Sequence, residues 1–330
     1  MPTLERAIRR YAAVHASATA IEGDIVLVPG GEDAKTRPGL VEQLLGALAE
    51  CAIDRHSYAV AIGGGAVLDV VGYAAAIFHR GVRHIRFPTT VLAQADSGVG
   101  VKNAVNAFGT KNLVGTFAPP FAIINDGAFI DHLAPREKRG GMAEAVKVAL
   151  IRDRPFFEWI EANADALAAF HPNTLDRLIE RSAKLHMRQI AQGGDPFETG
   201  SARPLDYGHW SAHKLESLTR HEVSHGEAVA IGVALDTRYA VLAGLLPTGQ
   251  DERVHDVLTR LGFTLWAEAL AGRDADGQLA ILRGLREFQE HLGGELTVTL
   301  IDAVGHGVEV NRMDHALIER AIGWLAERRG

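Results

Sequence analysis

Cysteine is almost absent from this chain of 330 residues, with Cys51 standing alone. A single thiol excludes an intramolecular disulfide and a cysteine-based zinc site, so any metal must be held by histidine and carboxylate. No apolar run reaches membrane-spanning length. The longest, 70–78 and 228–235, fall far short of the ~20 residues that a bilayer helix needs. Arg6, Arg9 and Arg10 near the N-terminus are not followed by the apolar stretch of a secretory signal, so an amphipathic helix is expected there. The expected location is cytoplasmic, with no membrane partner. Positive charge is in deficit, 34 Lys and Arg against 41 Asp and Glu for a net charge of −7. A nucleic-acid partner would call for a clustered basic surface, which is missing. A small anionic ligand stays compatible, because a local pocket of Lys and Arg can oppose the global charge. Internal repeats and low-complexity segments are also lacking.

What is present is a chain that is 47% hydrophobic, long enough for two packed domains. Short apolar runs at 25–28, 58–62, 84–87 and 121–124 end at turn residues, and the run at 58–62 leads into a helical pattern over 66–79. Strand, turn, helix and strand in this order predict a parallel α/β sheet. From about Pro135 the chain changes to long Ala-, Leu-, Glu- and Arg-rich stretches, at 136–151, 175–192 and 227–244, with one late strand candidate at 296–300. The expected organisation is therefore an α/β domain over 1–130 and an all-α domain over 131–330.

Three local patterns carry chemistry. Gly63-Gly64-Gly65 with Asp69 follows an apolar strand and opens a helix. Glycines let a pyrophosphate approach the backbone, and the helix N-terminus supplies free N–H groups. It is not the Gly-x-Gly-x-x-Gly of the usual dinucleotide fold, and taken alone it serves equally well as a tight turn that binds nothing. His209 and His213 lie four apart, His225 follows sixteen residues after His209, and Glu144 sits among Met142, Ala143, Ala145 and Val146 with Lys147 three residues on. Two histidines and a distant carboxylate suit an open catalytic zinc site. By spacing alone, scattered surface histidines on solvated helices explain the pattern at least as well. The third pattern runs from Asp96 through Lys102 to Asn106, followed by Lys111 and Asn112. Small residues, ammonium groups and amides suit a loop that holds a phosphorylated ligand, or simply a polar solvated loop.

In their order and spacing these blocks resemble the sugar phosphate cyclases, the superfamily of 3-dehydroquinate synthase. The matching blocks are Gly63-Gly64-Gly65 with Asp69, Phe87-Pro88-Thr89-Thr90, 96–102, Gly109-Thr110-Lys111-Asn112, Met142-Ala143-Glu144 with Lys147, and Gly208-His209 with His213 and His225-Gly226-Glu227. The resemblance implies a Rossmann-like NAD-binding domain and a helical domain for metal and substrate. It implies zinc, or cobalt in its place, on Glu144, His209 and His225. NAD contacts are expected at Gly64, Gly65, Asp69, Thr89 and Thr90, with Glu32 and Lys35 on the adenosine side and Asp96 and Lys111 nearer the nicotinamide end. Lys102, Lys111, Asn112, Lys147, His213 and Asp96 match substrate positions. Arg80 matches an arginine that reaches a neighbouring subunit, which implies a homodimer. The family carries a further strand and helix ahead of the point where this sequence begins, so the α/β domain is expected to lack the family's first strand.

The departures bear on substrate. The family synthase has Thr where Asn103 stands, Arg at Ala202, Asn at Asp206 and Lys at Arg188. The 206–209 string resembles the sedoheptulose 7-phosphate cyclases. The 200–205 and 209–213 strings resemble the cyclases of the ebo gene clusters. A carboxylate substrate needs a matched guanidinium. With Ala202 in its place, Arg203 one position over and Asp206 adding negative charge, a phosphorylated ketose without a carboxylate is expected, sedoheptulose 7-phosphate first. The alternatives are a 3-dehydroquinate synthase, a metal-dependent alcohol dehydrogenase and a degenerate non-catalytic binding protein.

Overall fold

The computed structural model describes residues 2–108, 110–193, 205–292 and 294–329. The chain divides into two compact units, one of Met1–Pro88 with Val101–Asn125 and the other of Thr89–Gly100 with Asp126–Gly330.

The first unit is built on a parallel sheet in which Arg83–Pro88 lies between Tyr58–Gly63 and Ala122–Ile123. The Gly65–Ile77 helix leaves the sheet directly at the glycine turn and buries Leu68, Val70, Ala74 and Ala75. Gly72 has no side chain because Asn103 Oδ1 occupies the place where its Cβ would stand. Strands Lys102–Ala107 and Thr110–Phe117 form an antiparallel hairpin. The stretch expected as a loop over 96–106 is thus a π-helical turn, Ala93–Ser97, followed by a strand. Burial decides this, since Asn103 is 2% exposed and accepts from Arg86 Nη2 at 2.6 Å. Residues 25–28 form no strand. Val26 and Val28 pack against the cluster of Ala34, Leu40, Leu44, Val70 and Ala74, so the apolar run reports burial and not pairing.

The second unit has two central helices, Pro135–Arg152 and His225–Leu242. Every residue from Gly141 to Ile151 is buried, and so is nearly all of 226–240. Helices buried on every side belong inside a core, where each fully buried aliphatic side chain contributes about 1.5–3 kcal/mol and Glu144 and Lys147 are buried as a charged pair. The two helices touch at Gly140 and Gly226, where a Cβ on Gly226 would overlap the Gly140 backbone. Pro172–Gln192 and His209–Leu218 complete the frame of the site. The late strand candidate is realised as an antiparallel hairpin of Val298–Ala303 and His306–Val310. Among the described residues, no helix is long and apolar enough to cross a membrane.

Candidate metal centre and cofactor turn

Glu144, His209 and His225 come from three different helices, and their ligand atoms all lie within 4.8 Å of one another. His225 Nε2 is 3.1 Å and His209 Nε2 is 3.5 Å from Glu144 Oε1. Ligands held at about 2.0–2.2 Å around a tetrahedral zinc stand about 3.4 Å apart, so the spacing fits a metal ion. The tautomers fit as well. His225 Nδ1 meets Glu216 Oε2 at 3.0 Å, and His209 Nδ1 meets the Tyr207 carbonyl at 3.1 Å. Both rings therefore commit Nδ1–H to a fixed acceptor and turn Nε2 towards Glu144, the arrangement that orients metal-binding histidines.

Two carboxylates and a buried ammonium set the electrostatics of this cluster. Burial disfavours charge on His225, yet Glu144 and Glu216 raise its pKa to about 9. Burial would raise Glu144, but Lys147 and the two histidines outweigh it and hold the carboxyl well below its ordinary range. Lys147 Nζ is 2.5 Å from Glu144 Oε2, with both side chains almost fully buried. Burial works against the Lys147 ammonium too, but Glu144, Asp96 and Asp206 raise its pKa. His213 is exposed, with its ring 5.3 Å from that of His209 and 6.0 Å from that of His225. It is outside the Glu144 set, although it forms a second candidate group with Glu216 and His225.

The N-terminal turn of the His209–Leu218 helix is pinned by a carboxylate. Asp236 accepts from Trp210 Nε1 at 2.9 Å and from Gly208 N at 3.1 Å. Gly208 has φ +76° and packs against the backbone of Val233, a close approach in the left-handed region that only glycine meets without strain.

The first unit gathers Glu32, Lys35, Asp69, Lys111 and Asn112 into one network, whereas Thr89, Thr90 and Asp96 belong to the second unit. Lys35 forms an ion pair with Asp69 and donates to Asn112 Oδ1 at 2.7 Å. Glu32 meets Lys111 Nζ at 3.3 Å and accepts from Asn106 Nδ2 at 3.1 Å. Gly64 is the N-cap of the Gly65–Ile77 helix and makes no side-chain cap, which leaves first-turn N–H groups for a ligand. Thr90 Oγ1 accepts from Ala93 N at 3.1 Å and starts the π-helical turn. Thr89 is half-buried, while Lys102, Arg188 and Arg80 are exposed. Arg80 sits at φ +62°. Gly109, Ala202 and Arg203 lie outside the described residues.

Glu216, Asp236 and His186 were not singled out from sequence. Glu216 carries a signal, being two helical turns beyond His209 on the same helix face. Asp236 carries a weaker one, as an acid closing an apolar run. His186 carries none, although its Nδ1 lies 2.6 Å from Asp96 Oδ1.

A parallel α/β unit with a glycine turn and a helical unit bearing a two-histidine, one-carboxylate centre define a metal-dependent enzyme fold. Solved structures of sugar phosphate cyclases share it. A 2-epi-5-epi-valiolone synthase from Streptomyces hygroscopicus, with NAD+ and Zn2+ bound, matches with a TM-score of 0.88 at 29% identity, over 99% of this chain and 89% of that one. A 2-deoxy-scyllo-inosose synthase, complexed with carbaglucose-6-phosphate, NAD+ and Co2+, matches with a TM-score of 0.79 at 26% identity, over 96% and 86%. A 3-dehydroquinate synthase of Bradyrhizobium sp. is 35% identical over 94% of this chain and 81% of its own length. The family models for the N-terminal and C-terminal parts of 3-dehydroquinate synthase match residues 25–140 and 141–282. The chain belongs to the 3-dehydroquinate synthase family of sugar phosphate cyclases.

Proposed function

We propose that this chain is an NAD- and zinc-dependent cyclase that converts a phosphorylated ketose to a carbocycle with loss of phosphate, acting as a cytoplasmic homodimer. The observation that carries it is the convergence of His209 Nε2 and His225 Nε2 on Glu144, with both Nδ1 atoms already committed. When bound, NAD supplies a hydride acceptor and donor, and zinc supplies a Lewis acid. Glu144, His209 and His225 hold the metal. The Gly64–Gly65 turn, Asp69, Lys35, Glu32, Thr89 and Thr90 hold the dinucleotide. Lys102, Lys111 and Asn112 offer ammonium and amide donors to the phosphate, offsetting its charge as it departs. Lys147, held charged between Glu144 and Asp96, donates to a substrate oxygen beside the metal. Asp96 and Asp206 accept from sugar hydroxyls, and His213 contacts substrate at the rim.

The preferred substrate is sedoheptulose 7-phosphate. Asp206 favours hydroxyls over a carboxylate, and its negative charge is felt at Lys147. The likeness to the Bradyrhizobium synthase supports a second reading, closure of the seven-carbon keto acid phosphate to 3-dehydroquinate. The test is phosphate release from a panel of ketose phosphates with zinc and catalytic NAD. Release from sedoheptulose 7-phosphate without NADH accumulation supports the first reading. A tenfold or larger kcat/KM advantage for the keto acid phosphate, about 1.4 kcal/mol, favours the second. NADH formed in step with product means an alcohol dehydrogenase.

A further inference from the structure

His186 has no part in the function as described so far, yet it is built into the same unit as the metal centre. It projects from the Pro172–Gln192 helix, and its Nδ1 lies 2.6 Å from Asp96 Oδ1 on the Ala93–Ser97 turn. The two side chains are only 14% and 21% exposed. Asp96 keeps its negative charge, because burial and Glu144, which oppose ionisation, are outweighed by Lys147 and His186 itself. A carboxylate accepts and does not donate, so the proton of a neutral His186 sits on Nδ1, and Nε2 carries the lone pair. That nitrogen lies beside Gly100, and a Cβ there would come 3.4 Å from it. Glycine thus places no side chain of its own against the Nε2 edge of the ring. A carboxylate that fixes the tautomer of a histidine and leaves Nε2 as the working atom is an acid–base device.

We propose that His186 is a proton carrier of this site, with Asp96 orienting its ring and Nε2 exchanging a proton with a substrate hydroxyl. This rests on the cyclase reading above. As the hydroxyl is oxidised, its O–H bond breaks and the proton passes to Nε2, while the hydride on the same carbon goes to nicotinamide and the C=O bond forms. On reduction the hydride returns to carbon and Nε2 gives the proton back to oxygen. The balance closes over one turnover with no outside oxidant. The charged groups around the ring are Asp96 from the turn and, through Asp96, Lys147 and Glu144 from the Pro135–Arg152 helix. On its own helix Lys184 is directed to Glu180, and Arg188 is exposed.

The decisive variant is His186→Asn. Its side-chain amide can still donate to Asp96, as Nδ1–H does, but it has no base in the place of Nε2. A proton carrier loses about 100-fold or more in kcat, with bound zinc, NAD affinity and KM near wild type. His186→Gly recovers activity as imidazole is added. A ring that merely positions Asp96 gives a His186→Asn enzyme of near wild-type kcat and no imidazole rescue, and that result overturns the assignment. A second readout is independent of turnover. In 15N NMR of the zinc-loaded protein, the His186 ring is the Nδ1-protonated tautomer, and Asp96→Asn abolishes that preference. An Nε2-protonated ring in the wild type overturns the dyad. Failure of the cyclase reading looks different, because the wild type itself then releases no phosphate from any ketose phosphate.

Discussion

Asp236 makes the most exacting prediction, because one carboxylate holds two donors at the entrance to the His209–Leu218 helix. It is fully buried and takes Trp210 Nε1–H on one oxygen and Gly208 N–H on the other. Asp236→Ala leaves two buried donors without acceptors. At about 1–3 kcal/mol for each, the loss is about 2–6 kcal/mol. Asp236→Asn keeps one acceptor and turns an NH2 towards the other donor, so its loss is about half as large. The two should therefore rank Asn above Ala in urea midpoint, followed by tryptophan fluorescence. The pH dependence has a defined sign. Burial pushes Asp236 up to about 7, against the pull of its two donors. A raised carboxyl binds its proton more tightly folded than unfolded, so its contribution to stability is full below about pH 4 and is lost as pH rises through 7. The wild-type advantage over Asp236→Asn should shrink between pH 5 and pH 8. Groups that titrate alike in both proteins cancel in the difference. An advantage that grows with pH, or an Ala variant within about 0.5 kcal/mol of wild type, would refute the reasoning.

Four further outcomes are expected. Glu216→Gln should weaken zinc binding by about 10–100-fold with the circular dichroism spectrum unchanged, as read by competition with a chelator. His209→Ala should lose bound metal while His213→Ala keeps it, so equal loss by elemental analysis would mean the ligand set is misassigned. Gly226→Ala should cost about 1–3 kcal/mol or more by overpacking against Gly140, and a neutral urea midpoint would contradict the close helix contact. Lys35→Met removes the cation facing Asp69 and the donor to Asn112. It should weaken NAD binding about tenfold or more, about 1.4 kcal/mol, in calorimetric titration, and unchanged affinity would remove Lys35 from the cofactor site.

The parts of the fold legible in the sequence are those in which one local rule decided the outcome. Apolar runs closed by glycine or proline marked Tyr58–Gly63 and Arg83–Pro88. A composition rich in Ala, Leu, Glu and Arg over 175–192 marked Pro172–Gln192. The same composition over 227–244 marked a helix, found as His225–Leu242. Rules failed where tertiary contact overrode them. Residues 25–28 are as apolar as a strand but meet side chains and no strand partner. Residues 102–106 are polar enough for a loop, yet Asn103 is drawn inwards by Arg86 and by the Val101 and Ala118 carbonyls.

The same distinction runs through the site. Glu144 was conspicuous because an acid amid Met142, Ala143, Ala145 and Val146 needs a partner, and Lys147 one face-turn away supplied one. Its histidines were legible only through resemblance, since spacing alone allows many pairings among fifteen histidines. The groups that aim those ligands were invisible for a physical reason. Glu216 reaches His225 across nine residues, Asp236 reaches Gly208 across twenty-eight, and Asp96 and His186 lie on separate elements. Such contacts depend on how helices cross, and the crossing depends on where side chains are absent. Gly226 against Gly140 brings the His225 helix onto the Glu144 helix, and Gly208 against Gly232 and Val233 seats the start of the His209 helix. The glycines beside both histidines are therefore part of the candidate metal centre as geometry: they set the distances between its two imidazoles and its carboxylate.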